Sequence, residues 1–180
     1  IGAIWSSCSP DFGSRSVIDR FQQIEPKLMF AVDGYTYNGK PFDRTETVNA
    51  LQSSLPSLRH TILVPYLNPD LEVASSEALS DWRTATASPG TLAFEPVPFE
   101  HPLWILFSSG TTGLPKPIVQ GHGGILLEHY KILNLHQDLK PGQRFFWFTT
   151  TGWMMWNYLI SSLLIRVTPA PYVPSPSSSP

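Results

Sequence analysis

Leu103-Trp104-Ile105-Leu106-Phe107-Ser108-Ser109-Gly110-Thr111-Thr112-Gly113-Leu114-Pro115-Lys116-Pro117-Ile118-Val119-Gln120 is the stretch on which the reading of this chain turns. The apolar run 103–107 predicts a buried strand, and 118–120 a second, short one. Between them, residues 108–116 hold four hydroxyls, two glycines and one lysine. Glycines let main-chain N–H groups approach an anion without a side chain in the way. Hydroxyls donate to phosphate oxygens and a lysine brings a point charge. In open α/β sheets ligands sit at the carboxyl ends of strands, and this loop follows a strand directly. Pro115 stands where a Walker A loop needs glycine. Leu126 stands where a dinucleotide fingerprint built on Gly121-His122-Gly123-Gly124 needs its last small residue. From the residues alone two readings stay open: a polyphosphate cradle, or a flexible surface turn.

Upstream, the chain alternates in a βαβ manner. Ala3-Ile4-Trp5 ends a strand. Ser16 and Asp19 have the spacing of a capping box, ahead of Val17, Ile18, Phe21 and Ile24 at helical spacing, and Pro26 stops that helix. The apolar run 28–32 is a strand, Tyr35-Thr36-Tyr37 leads into an Asn38-Gly39 turn, and Asp43 with Glu46 precedes a helix carrying Val48, Leu51 and Leu55. Residues 61–66 form a further strand. Strands separated by helices of this length predict an α/β fold, a mainly parallel sheet with helices on both faces. Five prolines punctuate 68–102, which reads as a long loop-rich excursion with one short helix at 76–84. Downstream, a helix is expected at 123–137, a turn at Pro141-Gly142, an aromatic strand at 144–149 and a helix at 153–165. Residues 168–180 hold five prolines and four serines and read as a disordered tail. The expected organisation is therefore one partial domain, 1–167, followed by that tail.

Composition excludes several classes. With Lys+Arg 12 against Asp+Glu 14 there is no basic footprint, so no nucleic-acid partner is expected. One cysteine rules out a disulfide scaffold and a multi-cysteine zinc site. His122 and His129 lie seven apart with no Asp or Cys to complete a set, so no protein-held metal is expected. The first ten residues lack the basic and apolar regions of a signal peptide, and the expected location is the cytosol. The run 145–165 is 21 residues without formal charge, long enough to span a bilayer. Thr149-Thr150-Thr151-Gly152 splits it, so no stable membrane insertion is expected. A membrane-associated protein spanning with 145–165 stays as an alternative.

The string 107–116 resembles the signature loop of the adenylate-forming superfamily, which includes acyl-CoA synthetases and luciferases. The flanks His101-Pro102-Leu103-Trp104-Ile105-Leu106 and Pro117-Ile118-Val119-Gln120-Gly121-His122-Gly123-Gly124 are similar to its acetoacetate–CoA ligase branch, as is the segment 145–157. Pro117 departs from the general pattern, which has glycine after the lysine, and agrees with that branch. The resemblance covers roughly 1–165 and places the chain in the large N-terminal domain. It implies ATP with Mg2+ and coenzyme A as co-substrates, and acetoacetate as the acid. Ser108, Ser109, Gly110, Thr111, Thr112, Gly113 and Lys116 would hold the β- and γ-phosphates. Trp153, Met154 and Met155 would line the acyl pocket. By the same pattern the adenine segment, the ribose-binding aspartate and the adenylation lysine lie downstream, so no catalytic residue is expected within the chain, and it is expected to be inactive alone. A non-catalytic nucleotide-binding fragment is the other alternative.

Overall fold

The run 28–32 forms β1 (Leu28–Val32), and 35–43 folds as a hairpin of β2 (Gly34–Tyr37) and β3 (Lys40–Asp43). The computed structural model describes residues 1–108 and 113–170. They group into two compact units, one of 10–92 with 113–116, the other of 1–9, 93–108 and 117 onward.

In the first unit, α1 (Ser14–Phe21) precedes β1, and α2 (Thr45–Ser54) follows the hairpin and leads to β4 (His60–Val64). β5 (Leu79–Asp81) and the single turn α3 (Trp82–Ala85) complete it. β4 is central in the order β1-β4-β5 and is parallel to both neighbours, with Leu28 opposite His60 and Thr61 opposite Leu79. Parallel neighbours need a crossover, which α2 supplies between β1 and β4. Its stripe of Val48 and Leu51, with Leu55 just beyond, is buried as the spacing predicts. The Asn38-Gly39 turn has φ of 48° and 71° at its two central residues, the pairing that matches strand twist in a two-residue hairpin. The parallel α/β character expected from the sequence is therefore observed.

Four details differ. The capping box at Ser16 and Asp19 does not form, because α1 starts earlier, after Gly13. Within the helix Asp19 pairs with Arg15 at 2.8 Å and the Ser16 hydroxyl accepts from Arg20. The helix expected at 76–84 is replaced by β5 and α3. The edge of β4 needs partners, and Thr61 N–H finds the Ala78 carbonyl at 2.8 Å. β4 ends at Val64 rather than 66, since Pro65 has no N–H to continue a ladder. The aromatic strand expected at 144–149 shrinks to two residues because its partner is only two residues long.

That short pair lies in the second unit. β6 (Pro102–Ser108) pairs with β7 (Lys116–Gly121), which runs into α4 (His122–Lys131) and a π-helical turn over Ile132–His136. β8 (Arg144–Phe145), α5 (Met154–Ile160), a 3-10 turn over Ser161–Ile165 and β9 (Thr168–Pro169) follow. Trp5 bridges Trp104 in parallel, its N–H donating to the Leu103 carbonyl at 3.0 Å, which gives the 3–5 segment a sheet contact. Leu133, Phe145, Tyr158, Leu159, Ile165 and Val167 make the core. β8 and β9 are parallel, so regular structure reaches two residues into the stretch read as tail, and 171–180 lie outside the described residues. The uncharged run 145–165 is broken into strand, irregular chain, α-helix and 3-10 turn. Among the described residues no helix is long and apolar enough to cross a membrane.

Candidate functional site

Ser108 is the last residue of β6 and half-buried; Lys116 is the first residue of β7 and exposed. Ser109, Gly110, Thr111 and Thr112 lie outside the described residues. Gly113 has φ of +88°, a region that L side chains rarely adopt, while a Cβ there would meet nothing within 4 Å. Backbone conformation, not space, therefore requires glycine at this position. Lys116 makes no ion pair among the described residues. Its ammonium is thus a charge presented to solvent at the start of a strand.

Both strands beside the loop are fastened. Buried Trp104 donates its indole N–H to the Gln120 amide oxygen, joining β6 to β7 through side chains. Beyond β7, His122 N–H donates to the His101 carbonyl and Gly123 N–H to the Phe99 carbonyl, both at 2.9 Å. A Cβ at Gly123 would fall 2.1 Å from the Phe99 ring. Gly121, where a Cβ would fall 3.3 Å from the Glu100 carbonyl oxygen, and Gly123 thus serve a close approach of α4 to the 99–101 segment. On the other side of the lysine, the Pro115 carbonyl accepts from the Gln23 side chain at 2.9 Å.

The expected acyl-pocket residues share one turn but face differently. Trp153 precedes α5 and is 59% exposed, Met154 is 52% exposed, and Met155 is half-buried against the core cluster. The turn before them is held to the N-terminal segment: the Ser7 hydroxyl donates to the Thr151 carbonyl at 2.6 Å, and the Thr151 hydroxyl to the Cys8 carbonyl at 3.3 Å. A depression of about 460 Å³ is lined by Gln22, Glu25, Lys27, Leu55, Pro56 and Ser57, and another of about 320 Å³ takes in Gln52, Arg59, His60 and Ser76. Neither includes Lys116 or the 153–155 turn.

A half-buried polar group behind β6 was not legible in the sequence. His129 Nδ1 lies 2.6 Å from the Ser161 hydroxyl, which in turn donates to the Asn157 carbonyl at 2.7 Å. The hydroxyl has one proton to give, so Nδ1 is the donor to Ser161. The imidazole also lies 5.7 Å from the Trp104 ring and edge-on to Tyr158 at 5.4 Å. Burial pushes His129 below its ordinary value, with Glu128 acting weakly the other way. Neutral at pH 7, His129 works as a packing and hydrogen-bonding group. Among the described residues no three His, Cys, Asp or Glu side chains cluster to hold a metal.

A family model described as "AMP-binding enzyme" matches residues 1–174. The chain is 50% identical over 180 residues to the acetoacetyl-coenzyme A synthetase of Rhizobium meliloti (strain 1021), covering 98% of this chain and 27% of that protein. It is 43% identical over 189 residues to the acetoacetyl-CoA synthetase of Mus musculus, covering 98% of this chain and 28% of that protein. Among solved structures it is similar to the acetoacetyl-CoA synthetase from Streptomyces lividans, with a TM-score of 0.87 and 56% identity over 93% of this chain and 25% of that one. The chain thus spans about a quarter of the length of the relatives it matches.

Proposed function

The chain belongs to the AMP-binding enzyme family, and from that premise we propose that it supplies the phosphate-gripping part of an acetoacetate–CoA ligase acting in the cytosol. In this reading a carboxylate oxygen of acetoacetate attacks the α-phosphorus of ATP, and pyrophosphate leaves. The coenzyme A thiolate then attacks the carbonyl carbon of the acyl-adenylate, and AMP leaves. The observation that carries the reading is the placement of Ser108 at the end of β6 and Lys116 at the head of β7, with Gly113 in a left-handed conformation and Lys116 exposed and without an ion pair among the described residues. The ammonium of Lys116, with the hydroxyls of Ser108, Ser109, Thr111 and Thr112 and the main chain at Gly110 and Gly113, would neutralise the β- and γ-phosphates as pyrophosphate departs. Such preorganised charge is where phosphoryl chemistry gains most of its rate. Mg2+ supplies further charge when bound. Trp153 and Met154 present apolar surface that suits a small acyl group.

Two assays test this. A chimera carries residues 1–165 of this chain in place of the equivalent segment of the Streptomyces lividans enzyme. It should ligate acetoacetate to coenzyme A, and Lys116→Ala should lower its ATP-dependent rate roughly a hundredfold, the loss typical for one preorganised charge. An unchanged rate in that variant refutes the role of the loop. The 180-residue chain by itself should show no turnover, and measurable turnover refutes that part of the proposal.

A further inference from the structure

Gln23 lies two residues past α1 and reaches across 92 positions of sequence to the base of the loop. Its Nε2 donates to the Asp19 carbonyl at 2.7 Å and to the Pro115 carbonyl at 2.9 Å. Both amide protons are used, which fixes the orientation of the group, since a flip would turn Oε1 onto two carbonyl oxygens. The Asp19 carbonyl is open to this bond because the main-chain N–H of Gln23 goes to Arg20 instead, at 3.2 Å. Pro115 has no N–H, so its carbonyl is the one main-chain group by which it can be held. That carbonyl belongs to the peptide unit whose nitrogen is that of Lys116. One end of Gln23 is therefore rooted in its own helix and the other grips the peptide carrying the lysine.

We propose that Gln23 is a positioning residue for Lys116, setting the direction in which the ammonium leaves β7 and so the affinity for a polyphosphate. The inference rests on the reading of Lys116 as a phosphate-binding group. Gln23 touches no substrate; it acts through the Pro115–Lys116 peptide. The bond is exposed and competes with water, so its effect is modest. Glutamate at position 23 would be worse than alanine, because a carboxylate would face two carbonyl oxygens.

The test uses the 180-residue chain, with Mg-ATP and inorganic tripolyphosphate as calorimetric probes. Gln23→Ala should weaken both about threefold to tenfold, the factor one neutral hydrogen bond carries, and Gln23→Glu should weaken them more. Melting temperatures should stay within about 2 °C, and the Lys116 amide should exchange with deuterium several-fold faster in Gln23→Ala. Lys116→Ala is the control. If it weakens both probes while Gln23→Ala leaves affinity and exchange unchanged, the positioning role is wrong and the phosphate reading stands. If Lys116→Ala changes nothing, or the wild type binds neither probe, the phosphate reading fails and takes the positioning role with it. Equal affinities for Gln23→Ala and Gln23→Glu would also overturn the inference, since they would show that the amide does not face two acceptors.

Discussion

Replacing Asp33 by Asn should damage the first unit far beyond what the change of one atom suggests. Asp33 follows β1 and is buried. Its Oδ1 accepts the N–H groups of Tyr66 at 2.7 Å and Leu67 at 2.8 Å, and its Oδ2 that of Asn68 at 2.8 Å. Its own carbonyl accepts from Arg44 N–H at 2.7 Å, so one residue ties together the ends of β1 and β4 and the start of α2. Burial raises the carboxyl, but the backbone donors Leu67, Asn68 and Tyr66 outweigh it and hold Asp33 below its ordinary value. Asparagine can keep its oxygen toward Tyr66 and Leu67, as a neutral acceptor. Its NH2 group then faces the Asn68 N–H, donor against donor, and flipping the amide sets that group against two donors instead. Hydrogen bonds to a charged acceptor contribute about 1.5–3 kcal/mol each, and a buried unsatisfied donor costs about 1–3 kcal/mol. The expected loss is about 2–5 kcal/mol, a large part of the ~5–15 kcal/mol available to a domain. The sign with pH follows from the lowered value: the carboxylate's contribution is complete above the unfolded value near ~3.9 and is lost as pH falls through the lower folded value. Urea unfolding of wild type and Asp33→Asn should differ most at pH 6–7 and converge as the medium is acidified below about pH 4. A difference under about 0.5 kcal/mol at neutral pH, or one that does not shrink in acid, refutes the reasoning.

Arg166→Gly should raise stability by about 1 kcal/mol, seen as a higher urea midpoint at unchanged slope: Arg166 has φ of +59° where the 3-10 turn ends, and its side chain is exposed. Because burial lowers His129, the fold prefers its neutral form. Stability from this site is therefore complete above about pH 6.5 and falls as pH drops from there toward the lower folded value; melting between pH 7.5 and 5.5 should fall less in His129→Gln than in wild type, and equal falls refute the assignment.

What could be read from the sequence was local. The 28–32 run, the Val48–Leu51–Leu55 spacing and the Asn38-Gly39 turn each carry their own signal, and each matches the structure. Ser108, Gly113 and Lys116 were visible as candidates because the glycine, hydroxyls and lysine are contiguous. Leu79-Ser80-Asp81 was missed as a strand because three residues have no period to detect. It becomes a strand only because β4 offers an edge. Asp33 carries no local signal, since the donors it serves lie 33 to 35 positions away. Gln23 was invisible for the same reason. Asp81 shows the limit within one element: its carboxylate caps α3 through Arg83 N–H at 2.6 Å, yet the Ser76–Thr84 composition suggested the helix and not its cap.

The 145–157 segment shows why composition could not separate pocket from core. Aromatic and methionine residues crowd it, and all are apolar enough for either task. Burial divides them. Phe145 is 8% exposed, and Met155 and Trp156 pack against the same cluster, whereas Phe148 is 70% exposed and Trp153 59%. A side chain that fills the core cannot also be withdrawn to accommodate a substrate without leaving a cavity, and cavities in packed interiors are costly. Of the three residues that the resemblance assigns to the acyl group, Trp153 and Met154 present surface, and Met155 packs against the core cluster behind the turn. The Ser7 and Thr151 hydrogen bonds hold the same turn from its N-terminal side. The three residues that the resemblance groups as one pocket thus divide by physical task, two presenting surface and one anchoring it.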